Sequence, residues 1–228
     1  MTPPHPTITK TADGCDTLLC AVYGQTYHST HGALTEAEHV FFRGAGVEER
    51  FAALKPVRVL EIGFGTGLNF LLTAQRATAS LHYTALEKII LPHALLTRLN
   101  YSAVLGCASA AAWREVLPDD PKFGTYHYRH SLLATLRLVV CDATKTVISG
   151  PPFDAVYLDA FSEDVNPELW TADFLARLFA ATRPGGRLST YSARGLVRRR
   201  LMACGYDVAK QPGPPGKREM LVAMRPAC

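Results

Sequence analysis

A carboxylate followed by three alternating glycines is the feature of this sequence that best predicts chemistry. Glu61 closes an apolar, β-branched run, and Gly63, Gly65 and Gly67 follow it before a new apolar pattern begins. Glycines allow a tight turn and leave bare backbone for a ligand, so the pattern predicts a strand, a nucleotide-binding turn and a helix. The glycine spacing departs from that of NAD-type sites, and a carboxylate on the turn would repel a pyrophosphate. The turn therefore favours a nucleotide-like ligand that carries an ammonium group and no phosphate.

S-adenosylmethionine (SAM) has this chemistry, and three further acidic residues support it. Glu87 ends the apolar run 81–87, in the usual place for an acid that accepts both ribose hydroxyls. Asp142 and Asp159 close two later apolar runs. We expect Asp142 to accept from the adenine amino group and Asp159 to lie near the reacting methyl. A single strand-end Asp is often a helix cap, but four strand-end acids together favour a ligand site at one edge of a parallel sheet.

Apolar periodicity predicts the elements that position these residues. The alternation of strand and helix patterns around the glycine turn is typical of right-handed βαβ units. A hairpin at 7–23 precedes these units, and an antiparallel hairpin follows them. The predicted strands lie at 57–62, 81–87, 126–129, 136–141, 153–159, 187–191, 206–210 and 218–224. The predicted helices lie at 35–42, 68–78, from Pro92 onward, and at 109–117, 168–181 and 194–203.

Length and composition fit one domain. The 228 residues are 48% apolar and 19% charged, which suits a single core. We expect an α/β, Rossmann-like fold over 1–228 that binds SAM, with a mostly parallel twisted sheet, an antiparallel C-terminal strand and an N-terminal hairpin extension (1–50) packed on the core. No apolar run reaches 18 residues and residues 1–5 lack a signal-peptide profile, so we expect a cytoplasmic location and no membrane partner. The six cysteines and eight histidines show no metal-ligand spacing, so no metal is expected.

Positive charge is concentrated at the C-terminal end of the sequence. From Arg183 onward there are 10 Lys or Arg residues against two acidic ones, whereas the first 182 residues carry 14 basic and 18 acidic residues. A basic segment on a mildly acidic body is one form of electrostatic footprint for a polyanion. A solvated helix face with arginines near helix ends would show the same counts, so charge alone leaves both interpretations open.

Eight motifs together resemble the MnmC methyltransferase family, most closely in its stand-alone, MnmD-like form. The motifs span 27–36, 61–69, 157–162, 166–171, 184–186, 190–193, 197–199 and 216–221. The resemblance implies a SAM-dependent tRNA methyltransferase that converts 5-aminomethyl-2-thiouridine at the wobble position of the anticodon to 5-methylaminomethyl-2-thiouridine. It also implies that the flavin-dependent oxidoreductase domain of two-domain relatives is not part of this chain. A separate oxidoreductase or modification enzyme would then be a functional partner.

The resemblance also suggests roles for individual residues. Asp159 and Tyr191 are the predicted catalytic residues, with Asp159 orienting the acceptor amine and accepting a proton as a secondary task. The predicted cofactor-binding residues are Glu61, Gly63, Gly65, Gly67, Asn69, Glu87, Asp142, Asp159 and Tyr27. The predicted substrate-binding residues are Phe161, Asn166, Trp170, Ser192, Arg198, Arg199, Lys217 and Arg218.

Some of these substrate and cofactor contacts have a structural alternative. Phe161 and Trp170 are candidates to stack on an unstacked anticodon base, although Trp170 would equally suit the core at the start of helix 168–181. Tyr27 is either a lid over the cofactor or part of hairpin packing. The basic residues are expected to contact phosphates, which positions tRNA without reading its sequence. The acidic stretch 163–165 departs from the basic pattern of the family and puts substrate contacts there in doubt.

Three other functions compete with this prediction. A polyamine-synthase-like aminopropyl transferase would use a decarboxylated SAM on a related sheet, but such enzymes typically carry an aspartate where this chain has Thr66. A NAD-dependent dehydrogenase conflicts with Glu61 and the glycine spacing. A catalytically silent tRNA-binding module on the same fold would not need the series of strand-end acids.

Overall fold

Alternating strands and helices build the fold, as the periodicity predicts. A computed structural model describes residues 6–227. The strands are β1 (Thr7–Lys10), β2 (Asp16–Cys20), β3 (Gln25–Thr26), β4 (Val57–Ile62), β5 (Leu81–Glu87), β6 (Gly124–Arg129), β7 (Ala134–Val140), β8 (Phe153–Leu158), β9 (Thr182–Thr190), β10 (Asp207–Pro212) and β11 (Glu219–Met224). The α-helices are α1 (Ala33–Glu36), α2 (Val47–Ala52), α3 (Leu68–Gln75), α4 (His93–Leu96), α5 (Tyr101–Leu105), α6 (Ala172–Ala181) and α7 (Gly195–Ala203). A π-helix covers Ala37–Arg43, and 3₁₀ helices cover Ala112–Val116 and Pro167–Trp170.

The main sheet brings the predicted site residues to one edge. Its strand order is β10-β11-β9-β8-β4-β5-β7-β6. The five central strands β9, β8, β4, β5 and β7 run parallel, whereas β11, β10 and β6 are joined by antiparallel pairings. The α/β fold with a mostly parallel sheet and an antiparallel C-terminal strand is therefore confirmed. The carboxyl ends of parallel strands meet at one edge, where a crevice can hold a ligand.

The central strand β4 shows why this sheet forms. Val57, Val59, Leu60 and Ile62 are fully buried, which is typical of a parallel strand covered on both faces. One face belongs to a buried cluster with α3 and the N-terminal extension, and the other belongs to a cluster with α6 and α7. The layered core holds the strand ends rigidly below the crevice.

The N-terminal extension folds onto the catalytic sheet. β1, β2 and β3 form a small antiparallel sheet, in agreement with the predicted hairpin. Phe41, in the π-helix, lies 5.5 Å between ring centroids from Tyr157 of β8. The Asn100 side chain accepts from the Asp16 backbone N–H at 2.9 Å, and its own backbone N–H donates to the Asp16 carboxylate at 3.0 Å. These contacts fix the extension above the edge of the sheet where β4 and β8 end.

Several predicted elements differ from the structure in type or bounds. The helix predicted at 168–181 begins as a 3₁₀ turn and becomes α-helical only after Thr171, whose hydroxyl accepts from the Phe174 backbone N–H at 3.3 Å as an N-cap. The strand predicted at 187–191 starts earlier, at Thr182, with a register irregularity against β8. The short helix predicted at 109–117 is a 3₁₀ helix.

Within residues 6–227, no helix has the length and apolar character needed to cross a membrane.

Cysteines and metal-type clusters add no further centre to the described part of the chain. Cys15, Cys20, Cys107, Cys141 and Cys204 are free thiols, and Cys228 lies outside the described residues. Within residues 6–227, no group of three His, Cys, Asp or Glu residues is arranged to hold a metal ion. The expectation about residues 1–5 also lies outside the described range.

Candidate active site

A cavity of about 460 Å³ lies at the carboxyl ends of the parallel strands. The N-terminal extension and the C-terminal hairpin both contribute to its walls. Ten of the predicted site residues line it: Tyr27, Gly63, Gly65, Glu87, Asp142, Asp159, Phe161, Asn166, Tyr191 and Lys217. Most of the predicted site residues therefore lie together, although several have contacts that differ from the predicted ones.

The three glycines of the turn have left-handed backbone and close neighbours. A Cβ at Gly63 would lie 2.6 Å from the Asp159 carbonyl oxygen, and one at Gly65 would lie 2.9 Å from the Tyr27 ring. A Cβ at Gly67 would meet the Trp113 indole nitrogen at 3.0 Å. Gly67 does not line the cavity; it precedes α3 as its N-cap residue, and its predicted cofactor contact stays a prediction. Gly63 and Gly65 present bare backbone to the cavity.

Glu61 and Asn69 lie beneath the cavity wall and do not line it. Glu61 is 1% exposed and Asn69 is 3% exposed. The Asn69 amide donates to Glu61 Oε1 and to Asp159 Oδ2, each at 2.8 Å. Burial raises the pKa of Glu61 to about 8, which favours the neutral acid. Neither side chain faces the cavity, so the structure does not support the direct cofactor contacts predicted for them. Asn69, held by Glu61, orients Asp159 through its hydrogen bond.

Glu87 and Asp142 are held in place as hydrogen-bond acceptors. The Glu87 carboxylate accepts from the backbone N–H groups of Gly65, Lys88 and Ile89 at 2.8–2.9 Å. Asp142 accepts from the Thr144 hydroxyl at 2.6 Å and forms an ion pair with Lys88 at 3.2 Å. The Thr144 hydrogen bond and Lys88 hold the pKa of Asp142 below its usual range. Both carboxylates face the cavity, as predicted for ribose and adenine contacts.

Asp159 and Tyr191 form the floor of the cavity near the extension. Burial raises the pKa of Asp159 well above its ordinary value, and the nearby charges of Glu36 and Glu61 raise it further. The Tyr191 hydroxyl donates to the Ala160 carbonyl oxygen at 2.8 Å, so this ring is fixed against the loop that follows β8. Burial also raises the pKa of Tyr191, so its hydroxyl stays protonated. Asp159 is thus the group at this end best able to exchange a proton.

A buried ion pair beside Asp159 is the main feature that the sequence argument missed. Glu36 is 4% exposed and lines the cavity. Its Oε1 forms an ion pair with Lys217 Nζ at 2.6 Å. The ammonium also lies 4.0 Å above the centroid of the Tyr191 ring. Lys217 was predicted to contact phosphates, but its charge is directed into the cavity and paired there. Glu36 and Lys217 lie in two of the motifs shared with the MnmC family, at 27–36 and 216–221, and this was the only indication in the sequence that both belong to the site.

The aromatic candidates separate into one cavity residue and one core residue. Phe161 lines the cavity and packs on Tyr27 with ring centroids 5.1 Å apart. Trp170 is 0% exposed and its indole N–H donates to the Phe161 carbonyl oxygen at 2.8 Å. Base stacking by Trp170 was therefore wrong, because neither ring face is accessible; this side chain holds the Phe161 loop.

Two polar candidates near this loop also differ. Asn166 lines the cavity, and its amide donates to the Glu168 carboxylate at 2.6 Å. Ser192 is 9% exposed and does not line the cavity. The predicted substrate contact of Ser192 is not supported by its position.

The basic helix α7 has paired and unpaired arginines. Arg194 Nη1 donates to Asp164 at 2.7 Å, and Arg200 lies 3.8 Å from Glu163 and donates to the Trp170 carbonyl oxygen at 2.8 Å. The acidic stretch that departs from the family pattern is thus neutralised within the chain. In the part of the chain that the structure describes, Arg198, Arg199 and Arg218 form no ion pair.

Comparison with known proteins assigns the family. The family model described as S-adenosyl-L-methionine-dependent methyltransferase matches residues 108–226, just over half of the chain. The chain belongs to this family. The resemblance noted in the sequence is confirmed, and so is SAM as the cofactor of this methyltransferase.

Individual relatives point the same way. The "tRNA 5-methylaminomethyl-2-thiouridine biosynthesis bifunctional protein MnmC" of Cupriavidus metallidurans is 36% identical over 213 residues, covering 88% of this chain and 31% of the relative. Its namesake in Paracidovorax citrulli is 37% identical over 209 residues, covering 88% and 33%. The crystal structure of MnmC2 from Aquifex aeolicus matches with a TM-score of 0.80 and 27% identity, covering all of this chain and 72% of that one. The methyltransferase spans about a third of the length of the curated relatives it matches.

The cavity of this methyltransferase fits SAM. Two carboxylates with fixed geometry, Glu87 and Asp142, offer further lone pairs to hydroxyl and amino groups. Gly63 and Gly65 line the same cavity with bare backbone, together with the carboxyl groups of Glu36 and Asp159. Acceptors and carboxylates around bare glycine backbone suit a cationic amino-acid group and do not suit a pyrophosphate.

Proposed function

We propose that this methyltransferase transfers a methyl group to the exocyclic alkylamine of a modified wobble uridine in tRNA. The observation that carries the proposal is the cavity end formed by Asp159, Tyr191 and the Glu36–Lys217 pair, which suits an amine acceptor. The printed names of the relatives support a 5-aminomethyl-2-thiouridine substrate and a 5-methylaminomethyl-2-thiouridine product. The resemblance adds that a separate oxidoreductase or modification enzyme supplies the aminomethyl group.

The cofactor roles follow from the geometry of the strand ends. We assign Glu87 to the ribose hydroxyls and Asp142 to the adenine amino group, with Gly63 and Gly65 supplying backbone contact surface. When bound, SAM supplies a methyl group on a sulfonium: a bond forms between the amine nitrogen and the methyl carbon, and the carbon–sulfur bond breaks with its electron pair kept by sulfur. Tyr27 closes over Gly65 and excludes water from this part of the cavity.

The acceptor roles fall to residues at the other end. Asp159, held by Asn69, orients the amine, and its raised pKa lets it take the proton that the amine loses. Phe161 offers an aromatic face to a base that has left the anticodon stack. Tyr191 forms the wall against which the acceptor lies. Orientation of the amine by this wall supplies much of the rate.

The unpaired arginines complete the proposal with a docking face for tRNA. Arg198, Arg199 and Arg218 carry charges with no partner in the described part of the chain, so they are free to contact phosphates. We propose that residues 1–228 act as one methyltransferase domain, with 1–50 as its N-terminal extension. A tRNA substrate also favours a cytoplasmic location for the protein.

The test is incubation of the protein with SAM and tRNA that lacks this methyl group, followed by nucleoside mass spectrometry. We expect conversion of 5-aminomethyl-2-thiouridine to 5-methylaminomethyl-2-thiouridine. tRNA whose uridine lacks the aminomethyl group is the control and should stay unchanged. Binding of SAM and tRNA without product would instead support a silent tRNA-binding module.

A further inference from the structure

The Glu36–Lys217 pair is unusual because it joins two distant parts of the chain inside the cavity. Glu36 ends α1, and Lys217 lies in the hairpin between β10 and β11, 181 positions later. Glu36 is also held by the Ser29 backbone N–H, which donates to Oε2 at 2.8 Å. This hydrogen bond holds the Glu36 carboxylate independently of the Lys217 ammonium.

The charges around this pair are mainly acidic. The groups that face the pair and Asp159 include Tyr191, with Glu163 and Arg194 beyond it. The extension adds neutral His28 and the His31 ring, which packs on Gly216 beside Lys217. Glu61 faces Asp159 through Asn69, and its raised pKa favours the neutral acid. A carboxylate close to an alkylamine favours the charged ammonium form, which has no lone pair for methyl transfer. The acceptor end contains two such carboxylates, Glu36 and Asp159. Lys217 is the cation that directly contacts either of them.

We propose that Lys217, held by Glu36, is a positioning residue that balances charge at the acceptor end and so favours the neutral, nucleophilic form of the bound amine. The inference rests on the proposed function and deepens it. Lys217 offsets the charge of Glu36, so Asp159, whose pKa is raised, is the group left to take the proton that the amine loses. A nearby fixed cation is a known means of activating an amine. Contact with the Tyr191 ring keeps the ammonium at the wall of the cavity rather than in the place of the acceptor.

The experiment measures single-turnover rates against pH, at saturating SAM and tRNA, for Lys217→Met, Glu36→Gln and the double variant. Lys217→Met leaves Glu36 uncompensated, so the acidic limb of the profile should move up by about one pH unit, with a roughly tenfold loss at pH 7 that recovers at pH 9. Glu36→Gln leaves Lys217 uncompensated and should move that limb in the opposite direction. The double variant should return close to the original profile.

Lys210→Met is the matched control. Lys210 forms an ion pair with Glu219 at 2.7 Å in the same hairpin but does not line the cavity. Its substitution should leave the pH profile unchanged. SAM affinity by calorimetry and the melting temperature are measured for every variant, and we expect changes in SAM affinity of less than about threefold.

The outcomes separate the two proposals. Absence of methylated product with the unaltered protein overturns the proposed function and this inference with it. If the unaltered protein is active but both single variants lose rate equally at every pH, together with melting temperature, the pair is a structural clasp and the inference fails. Profiles that do not move in either single variant also overturn it.

Discussion

Two aspartates follow parallel strands that lie on either side of β4 and β5, and their carboxyl groups have opposite shifts in pKa. Asp142 follows β7, is bonded by Thr144 and paired with Lys88, and its pKa lies below the usual range. Asp159 follows β8, is buried beside Glu36 and Glu61, and its pKa lies well above that range. The same side chain is thus a permanent anion at one end of the cavity and a proton acceptor at the other. Surroundings, rather than residue type, divide the cavity into a cofactor end and an acceptor end.

The most direct way to break this comparison is to neutralise each aspartate without changing its shape. We expect Asp159→Asn to lower the single-turnover rate by about 100-fold to 1000-fold, since proton transfer by a placed group is worth that much, while SAM affinity stays nearly constant. Asp142→Asn should weaken SAM binding by about tenfold and leave the saturated rate unchanged. Rapid quench and calorimetry measure the two effects. If Asp159→Asn turns over within a factor of a few of the unaltered protein, charge at the acceptor end is not catalytic.

A second test concerns the glycine turn at the cofactor end. We expect Gly65→Val to lower SAM affinity by about 100-fold, because the added carbons would push against the Tyr27 ring and fill the cavity. Gly106→Val is the matched control, since Gly106 has a similar left-handed φ of +65° but no neighbour within 4 Å. Calorimetric titration of both variants separates backbone strain from lost space. SAM binding by Gly65→Val equal to that of Gly106→Val would place the cofactor elsewhere.

A third test concerns Glu61, whose burial beneath the glycine turn should make the free energy of unfolding depend on pH. Burial raises the pKa of Glu61 from 4.5 to about 8, so its neutral form is favoured in the folded state. The stability that this preference contributes is fully present below pH 4.5 and is lost as the pH rises through 8. Glu61→Gln is neutral throughout, and its melting temperature relative to the unaltered protein should therefore rise between pH 5 and pH 8. A constant difference between the two proteins across this range would contradict the raised pKa.

The smallest effect is expected outside the cavity, where paired and unpaired arginines of α7 can be compared. Arg199→Ala should weaken tRNA binding a few-fold, reduce its salt dependence by about one phosphate contact, and leave SAM affinity unchanged. Arg200→Ala should lower the melting temperature instead, since Arg200 holds the Trp170 carbonyl and faces Glu163. Binding curves at two salt concentrations and thermal melts measure both. A destabilised Arg199→Ala with an unchanged salt slope would move the docking face elsewhere.

The central strands were predictable because their signals are local. The bounds predicted for β4 and β5 match the structure residue for residue, since each is a buried apolar run between strong turn signals. The positions of Glu61 and Glu87 at the ends of these strands were therefore also predicted correctly. Trp170 and Lys217 were misassigned for the opposite reason: the burial of one and the ion pair of the other depend on partners far away in sequence. A pattern of residue types predicts where a strand ends, but not which way a long side chain turns.

Two helical predictions gave the wrong helix type for part of their length, where tertiary contacts override local preference. Residues 37–43 have helical spacing but widen into a π-helix, where Gly44 packs so closely that a Cβ would lie 2.6 Å from the Ser189 hydroxyl. The 3₁₀ turn at Pro167–Trp170 likewise lets the Trp170 indole reach the Phe161 carbonyl. The second deviation holds Phe161, which lines the cavity, and departures from local preference are expected near such sites.

The contact between Glu36 and Lys217 also has a consequence for how the protein matures. Because these partners are 181 positions apart, the reactive end of the cavity is completed only when almost the entire chain is available. During synthesis the sheet up to β8 can assemble while this end still lacks its cation. Folding slows as contacts join residues farther apart in sequence, so we expect catalytic competence to lag behind the appearance of secondary structure on refolding. A newly made molecule would thus acquire its cofactor end before it can act on any acceptor.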